Sequence, residues 1–483
     1  MVDAAVWDIG YLLAAALFIF GIKKLSSPRT APQGNRLGSM GMFLAVLVTL
    51  ARMQSEGVIG WELIVGGLAI GAIIGVLMAT KVEMTGMPEL VALFNGFGGG
   101  ASALVALSEV LGRLQRGDVP PDASVELYAI WVAIGLSGIV GWVTLTGSLV
   151  AMMKLKGGFY IPFTKKDDRG RSKWVSFPTW GPSWLNAVKV VLLAASLALI
   201  WMTIQEPNNK DYIWMIVGFA SLLGVLFVIP IGGADMPVVV SLLNSLSGIA
   251  AAFTGFVIGN NVLIIAGSMV GAAGLILTFI MCKAMNRTLP DVLFKAFGGS
   301  GEKDKLTRTK VGSDPEEVAM VLDGAQKVIV VPGYGMAVSQ SQHAVKEFAD
   351  LMEAEGCEVS YAIHPVAGRM PGHMNVLLAE ASVPYEQLIE MDDINPEFPD
   401  CDVALVIGAN DTTNPVARTD EGPLAGMPIL DVDKARVVVI IKRSLSVGYA
   451  GVDNDLFYMD KTMMLFGDGK KMMNDLNSAL KEL

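Results

Sequence analysis

Gly333 and Gly335 stand one residue apart after the apolar run 328–331 in VIVVPGYGMAV. A strand that ends on such glycines turns tightly and can lay its backbone against a pyrophosphate. The frame is G-x-G-x-x-V. Ala337 and Val338 stand where the usual fingerprint wants a small residue, and valine at 338 is a departure. Three more groups of ligand-contacting residue types follow other apolar runs. VAGRMPGHMNV, 366–376, sets Arg369 beside glycine, where its guanidinium fork can reach a phosphate. GANDTTNP, 408–415, ends the run VALVIG and supplies Asn410 and Asp411. KRSLSVGY, 442–449, follows RVVVII with Lys442, Arg443 and the Ser444 hydroxyl, a compact anion site. Taken singly, these are a surface turn, an Asx turn and a solvated charge pair. Together they fall at strand carboxyl ends, where doubly wound sheets bind ligands. The run EVSYAIHPV ends in His364 and Pro365, with no acid for a ribose 2′-hydroxyl. Lys442 and Arg443 offer cations for a 2′-phosphate, so the expected ligand is NADP(H) and not NAD(H).

The elements that must hold these residues alternate. Strand-like runs lie at 328–332, 357–363, 403–408, 428–432 and 436–442. Helical patterns lie at 338–355, 373–381 and 470–482, and Ser313, Asp314 and Pro315 start a short helix. Such alternation predicts a parallel sheet, a soluble α/β doubly wound (Rossmann-like) domain over 314–483. A glycine- and charge-rich tether precedes it, within a linker of 288–313.

Residues 1–287 are of another kind. The chain is 53% hydrophobic and only 17% charged, well below the charge of a soluble globule. Nine apolar runs of spanning length lie near 8–25, 37–53, 58–80, 88–112, 124–153, 184–204, 211–231, 236–258 and 261–286. A polytopic α-helical membrane bundle is expected. Acidic Asp3 and Asp8 precede the first run, which reads as a retained helix and not a signal peptide. The odd-numbered loops hold Lys23, Lys24, Arg29, Arg36, Lys81, Lys154, Lys156, Lys165, Lys166, Arg169, Arg171 and Lys173. The even-numbered loops hold Arg52, Arg113, Arg116 and Lys210. This bias places the N-terminus outside and the C-terminal domain in the cytoplasm. The net charge of -10 argues against a nucleic-acid partner. Cys282, Cys357 and Cys401 show no metal or disulfide spacing.

Two of the apolar runs share a frame. MPELVALFNGFGG at 87–99 and MPVVVSLLNSLSG at 236–248 both read M-P-x-x-V-x-x-x-N-x-x-x-G. Each proline sits where a helix begins, at no cost in hydrogen bonds. Asn95 and Asn244 then lie about two turns into the membrane. They either bond neighbouring helices or line a polar path. Asp235 precedes the second frame, and Glu83 and Glu89 flank the start of the first.

GYGMAVSQ, VAGRMPGHMNVLLAEA, GANDTTNP, KRSLSVGYAGVDN and MPELVALFNGFGGG together resemble the beta subunit of the proton-translocating NAD(P) transhydrogenases. The likeness covers essentially the whole chain. It implies about nine membrane helices and an NADP(H)-binding domain in a bacterial cytoplasmic membrane. It implies hydride transfer between NADH and NADP⁺, driven by protons entering the cytoplasm. By resemblance, nucleotide contacts fall on Tyr334; on Val366, Ala367, Gly368, Arg369, Met370 and Pro371; and on Gly408, Ala409, Asn410, Asp411 and Thr412. They continue at Gly426 and Met427, then at Lys442, Arg443, Ser444, Leu445, Ser446, Val447, Gly448 and Tyr449, with Asp468 and Gly469 last. The 442–449 segment is the implied lid. Asp411 is expected to couple redox to protonation, and Asn95, Asn244 and Asp235 to serve the ion path. Some members carry histidine at the position of Asn95, and an asparagine there cannot take up a proton. One nucleotide fingerprint is too few for hydride transfer between two nicotinamides. The resemblance implies an alpha subunit bringing NAD(H) and more membrane helices, in a dimer of such complexes. The alternative from another class is a channel or transporter gated by a nucleotide-sensing domain.

Overall fold

The computed structural model describes the chain apart from residues 1–3, 26, 28, 56–59, 118–124, 161–173, 176–179, 295–307, 420, 421, 423 and 449. Lys165, Lys166, Arg169, Arg171 and Lys173, most of the tether, and Tyr449 lie outside the described residues. Contacts divide the chain into two units, Met1–Pro230 with Val240–Ile276 and Ile231–Val239 with Leu277–Leu483.

Nine helices among the described residues are long and apolar enough to cross a membrane. They are α1 (Ala4–Leu25), α2 (Ala31–Ser55), α3 (Trp61–Lys81), α4 (Met87–Arg116), α5 (Val125–Leu155), α6 (Trp184–Gln205), α7 (Asp211–Val228), α8 (Met236–Ile258) and α9 (Asn261–Ala284). A short ladder pairs β1 (Phe159–Tyr160) with β2 (Trp174–Val175). Lipid offers no hydrophobic reward for helix contact, so the helices meet where side chains are small. A Cβ added at Gly99 would lie 2.6 Å from Thr144 on α5, and one at Gly248 would lie 2.5 Å from Gly271 on α9. The buried Ser137 and Thr254 hydroxyls meet at 2.8 Å. By contrast, no residue of α3 is buried. Single-turn 3-10 segments, Met84–Gly86 and Gly233–Asp235, precede α4 and α8.

The second unit carries α10 (Leu289–Phe294) and α11 (Pro315–Leu322), then a six-stranded sheet. A capping box between Asp314 and Glu317, with proline in the first turn, starts α11 as the sequence predicts. The strands are β3 (Lys327–Pro332), β4 (Glu358–Ile363), β5 (Leu388–Glu390), β6 (Val403–Ile407), β7 (Val437–Lys442) and β8 (Thr462–Phe466). All pair in parallel, in the order β5-β4-β3-β6-β7-β8. Helices α12 (Tyr334–Ser339), α13 (Gln342–Ala354), α14 (His373–Glu380), α15 (Met391–Ile394) and α16 (Gly469–Glu482) connect or follow them. The doubly wound expectation holds. Ile329, Val331, Ala404, Val406, Val438 and Ile440 pack on Phe398, Leu430 and Phe457. The alternate residues Val328, Val330, Leu405 and Val439 are buried as well, which is why these strands read as continuous apolar runs. Each such side chain contributes about 1.5–3 kcal/mol when fully buried.

Two expectations need correction. Residues 428–432 form no strand. Leu430 is buried, but its N–H bonds Thr412 O and the chain turns into the 3-10 segment Val432–Lys434. The helix expected over 338–355 is two helices, because Gln340 adopts left-handed φ of 50° and ends α12.

Candidate functional site

Strands β3 and β6 are neighbours, yet the chain leaves them in opposite directions across the sheet. This is the switch point at which an open sheet has a crevice. Their carboxyl ends are level, with Pro332 opposite Ile407 and Ile407 opposite Ile441. A cleft of about 690 Å³ opens there.

The glycines at the switch point do local work. Gly333 N bonds Ile407 O and Gly335 N bonds Gly408 O, both at 2.9 Å. A Cβ on Gly408, which has φ of +64°, would lie 2.2 Å from Gly335 Cα. A Cβ on Gly333 would lie 2.4 Å from Ala409. The two turns therefore cross in contact, and glycine is needed where they cross. Ala337 is buried, whereas Val338 is 47% exposed and lines the cleft. The departure at 338 thus costs no packing, because that side chain points away from the core.

The structure gathers most of the residues singled out by sequence. Gly333, Tyr334, Gly335 and Val338 line one side, with Ala367 and Gly368. Gly408, Ala409, Asn410, Asp411 and Thr412 form the floor. Lys442, Arg443, Ser444, Ser446, Val447 and Gly448 make the opposite rim, and Asp468 and Gly469 close the end. Asp468 also caps α16, accepting from Lys470 N and Lys471 N. Val366, Arg369, Met370, Pro371, Gly426, Met427 and Leu445 do not line this cleft. Gly426, at φ of +69°, abuts Asn286, whose amide donates to Ala425 O at 2.8 Å. Ser339, Ile407, Ile441 and Gly467 are lining residues the motifs did not single out. Ser339 had a signal, lying one helical turn after Gly335, whose carbonyl it bonds.

Charge is concentrated on the rim. Lys442 Nζ lies 4.4 Å over the Phe457 ring and donates to Ser446 O. Burial pushes its ammonium down to about 8, against the pull of Asp411 and Asp453. The Asn410 amide, turned with its oxygen toward the rim, accepts from Gly448 N at 2.7 Å and Lys442 Nζ at 3.2 Å. Asn454 Nδ2 donates to Asn410 O at 3.1 Å. Asp411 Oδ2 accepts from Ala450 N at 3.1 Å, and a Cβ on Gly448 would fall 2.2 Å from Asp411 Oδ1. Arg369 stacks on Tyr334, 4.3 Å from the ring centroid. β4 is followed directly by His364, which burial pushes down to about 4, so the second strand contributes no anion to the cleft.

A family model described as NAD(P) transhydrogenase beta subunit matches residues 7–479. The chain belongs to the NAD(P) transhydrogenase beta-subunit family. A Rhodospirillum rubrum protein named NAD(P) transhydrogenase subunit beta is 48% identical over 476 residues, 97% of this chain and 98% of that one. The protein of that name from strain ATCC 11170 of the same species gives the same figures. A beta subunit implies an alpha subunit, and the nine apolar helices make this a membrane protein.

For the beta-subunit frames in the membrane, Asn95 is buried and donates to Val240 O on α8 at 3.2 Å. Asn244 is partly buried, and its backbone carbonyl accepts from the Ser247 hydroxyl. Asp235 is fully buried, and Arg287 holds both its carboxylate oxygens, at 2.7 and 3.0 Å. The sequence alone did not pair these two.

Proposed function

We propose that this beta subunit binds NADP(H) in the switch-point cleft and presents its nicotinamide to NAD(H) on an alpha subunit. Hydride passes between the two rings, and the transfer is coupled to protons entering the cytoplasm. The observation that carries the reading is the pairing of Lys442 and Arg443 at the end of β7 with a neutral histidine at the end of β4. The first pair suits a 2′-phosphate and the second leaves nothing for a free 2′-hydroxyl. The family's contacts, from Tyr334 through 366–371, 408–412, 426–427 and 442–449 to Asp468 and Gly469, are taken as the nucleotide shell. The turn carrying Gly333, Gly335, Ala337 and Val338 receives the pyrophosphate. Lys442, Arg443 and Ser444 receive the 2′-phosphate.

The cofactors carry the chemistry, and the protein's part is binding and orientation. Transfer needs the two rings about 3–3.5 Å apart. One dinucleotide cleft among the described residues is half of that arrangement, which is why the alpha subunit is required. Asp411, on the floor of the cleft, is assigned to couple redox state to protonation. Asn95, Asn244 and Asp235 are assigned to the ion path. The working form is a dimer of alpha–beta complexes in the bacterial cytoplasmic membrane, with the N-terminus outside and the 314–483 domain inside.

The test is reconstitution of the complex in vesicles. Reduction of an NADP⁺ analogue by NADH, followed with a pH dye, should move protons together with hydride. A nucleotide-sensing channel would bind NADP⁺ and reduce nothing, and that result would reject the enzyme reading.

A further inference from the structure

The segment 366–371 is bracketed in sequence by two histidines, His364 and His373. Its backbone closes two turns of its own, Ala367 N on His364 O and His373 N on Met370 O. Two more of its N–H groups are taken by the imidazoles. Val366 N donates to His364 Nδ1 at 3.2 Å, and Arg369 N donates to His373 Nδ1 at 3.0 Å. A nitrogen that accepts carries no proton, so both rings hold theirs on Nε2. His364 Nε2 then donates to Pro428 O at 2.9 Å, joining this segment to the 426–428 loop. Both rings are buried, 2% and 1% exposed, and burial pushes both down to about 4, with Arg369 adding to the effect on His373. They are neutral at working pH, which is the form that accepts.

The sequence makes room for this arrangement. Gly368 has φ of +110°, and a Cβ there would lie 2.5 Å from His373 Nδ1. The ring therefore rests on the peptide it bonds. His373 Nε2 is buried without a hydrogen-bond partner among the described residues. Burying an unpaired N–H is unfavourable. A leucine would fill the same space without that cost, so the useful atom of His373 is Nδ1.

We infer that His364 and His373 are positioning residues that hold 366–371, and with it Arg369, in shape for the nucleotide. The inference rests on the assignment of 366–371 to the NADP(H) shell. Neither ring touches the ligand in this role. Arg369 is held at its backbone by His373 and at its guanidinium by Tyr334.

The test uses the full-length chain in detergent, with NADP⁺ affinity measured by calorimetry. Asparagine places an acceptor at the Nδ1 position, and glutamine places its amide near Nε2. His373→Asn should bind NADP⁺ within about threefold of the parent, and His373→Gln about tenfold more weakly, the loss of roughly one hydrogen bond. At 364 both bonds are used, so His364→Asn and His364→Gln should each weaken binding. Equal affinities for His373→Asn and His373→Gln overturn the inference, as does a His373→Asn variant that does not fold. A parent chain with no preference for NADP⁺ over NAD⁺ would defeat the site assignment itself, a result separate from these.

Discussion

On this reading, NADP⁺ affinity depends on pH through one residue. Lys442 sits half-buried over Phe457, with its ammonium pushed down to about 8 from 10.5. At pH 7 it is charged and ready for a phosphate. At pH 9 it is about nine-tenths neutral, and recharging it on binding costs roughly 1.4 kcal/mol, a factor of about ten in affinity. The bound 2′-phosphate holds the ammonium charged, so binding at pH 8 should take up about half a proton. Calorimetry at pH 7 and pH 9, each in two buffers of different ionisation enthalpy, reads both quantities. Lys442→Arg should flatten the dependence, since a guanidinium stays charged throughout. The sign for folding is the reverse of the usual lysine case. The folded value lies below the unfolded one, so the ligand-free domain gains stability as pH rises from about 8 towards 10.5. An affinity that is flat from pH 7 to pH 9, with no buffer-dependent heat, would refute the placement of Lys442 at the phosphate.

Asp411→Asn should leave a folded domain with altered nucleotide affinity and impaired proton-coupled turnover, because Asp411 both bonds Ala450 N and abuts Gly448; wild-type coupled rates with unchanged binding count against its role. Gly335→Ala should lower the thermal midpoint of the nucleotide domain by several degrees, since its Cβ would lie 2.5 Å from Gly408 Cα; an unchanged melt would mean the turns separate freely. Acid should destabilise the same domain: His364 and His373 are held neutral near 4, so the stability they favour is present above about 6.5 and lost as pH falls through 4, and a denaturation midpoint level between pH 7 and pH 4 would contradict it. Asn95→Leu and Asn244→Leu should each block proton uptake in vesicles while sparing single-turnover hydride transfer; a normal ratio of protons to NADPH in both would leave the asparagines as interhelical bonds worth about 1–2 kcal/mol.

The sheet was legible where strands were buried on both faces. VIVV, VALVI and VVVII are too apolar and β-branched for anything but a covered parallel strand. The failures have the same root. Ile429 and Leu430 are also buried, but buried as a loop, and an apolar run alone does not distinguish the two. β5 is three residues on the sheet edge, too short for a pattern. β8 leaves little trace in the sequence, because the methionines of TMMLF carry little strand preference. The break at Gln340 has no glycine or proline to announce it. In the membrane, hydropathy finds spans but not neighbours. Four glycines lie along α3 and face open space, while those of α8 and α9 and most of those of α4 lie in helix contacts, and composition does not separate the cases.

The G-x-G fingerprint turned out to be a poor guide to why the cleft exists. Its glycines are required by the crossing of two turns, a demand of the protein's own packing. What points to a nucleotide, and to which one, is the chemistry at the other strand ends. The two sides of the cleft also differ in kind. Gly333, Gly335 and Gly408 are locked by backbone contact, and 366–371 is held by buried imidazoles. Arg443, Ser444 and Ser446 on the facing rim are exposed and make few bonds to the rest of the fold. On the proposed function, nucleotide must bind and leave without losing the alignment of two rings at about 3–3.5 Å. Fixing geometry on the glycine and histidine side leaves affinity to be set on the Lys-Arg-Ser side. Asp411 lies between the two, on the floor and against Gly448, where a change in its charge is felt first by the rim.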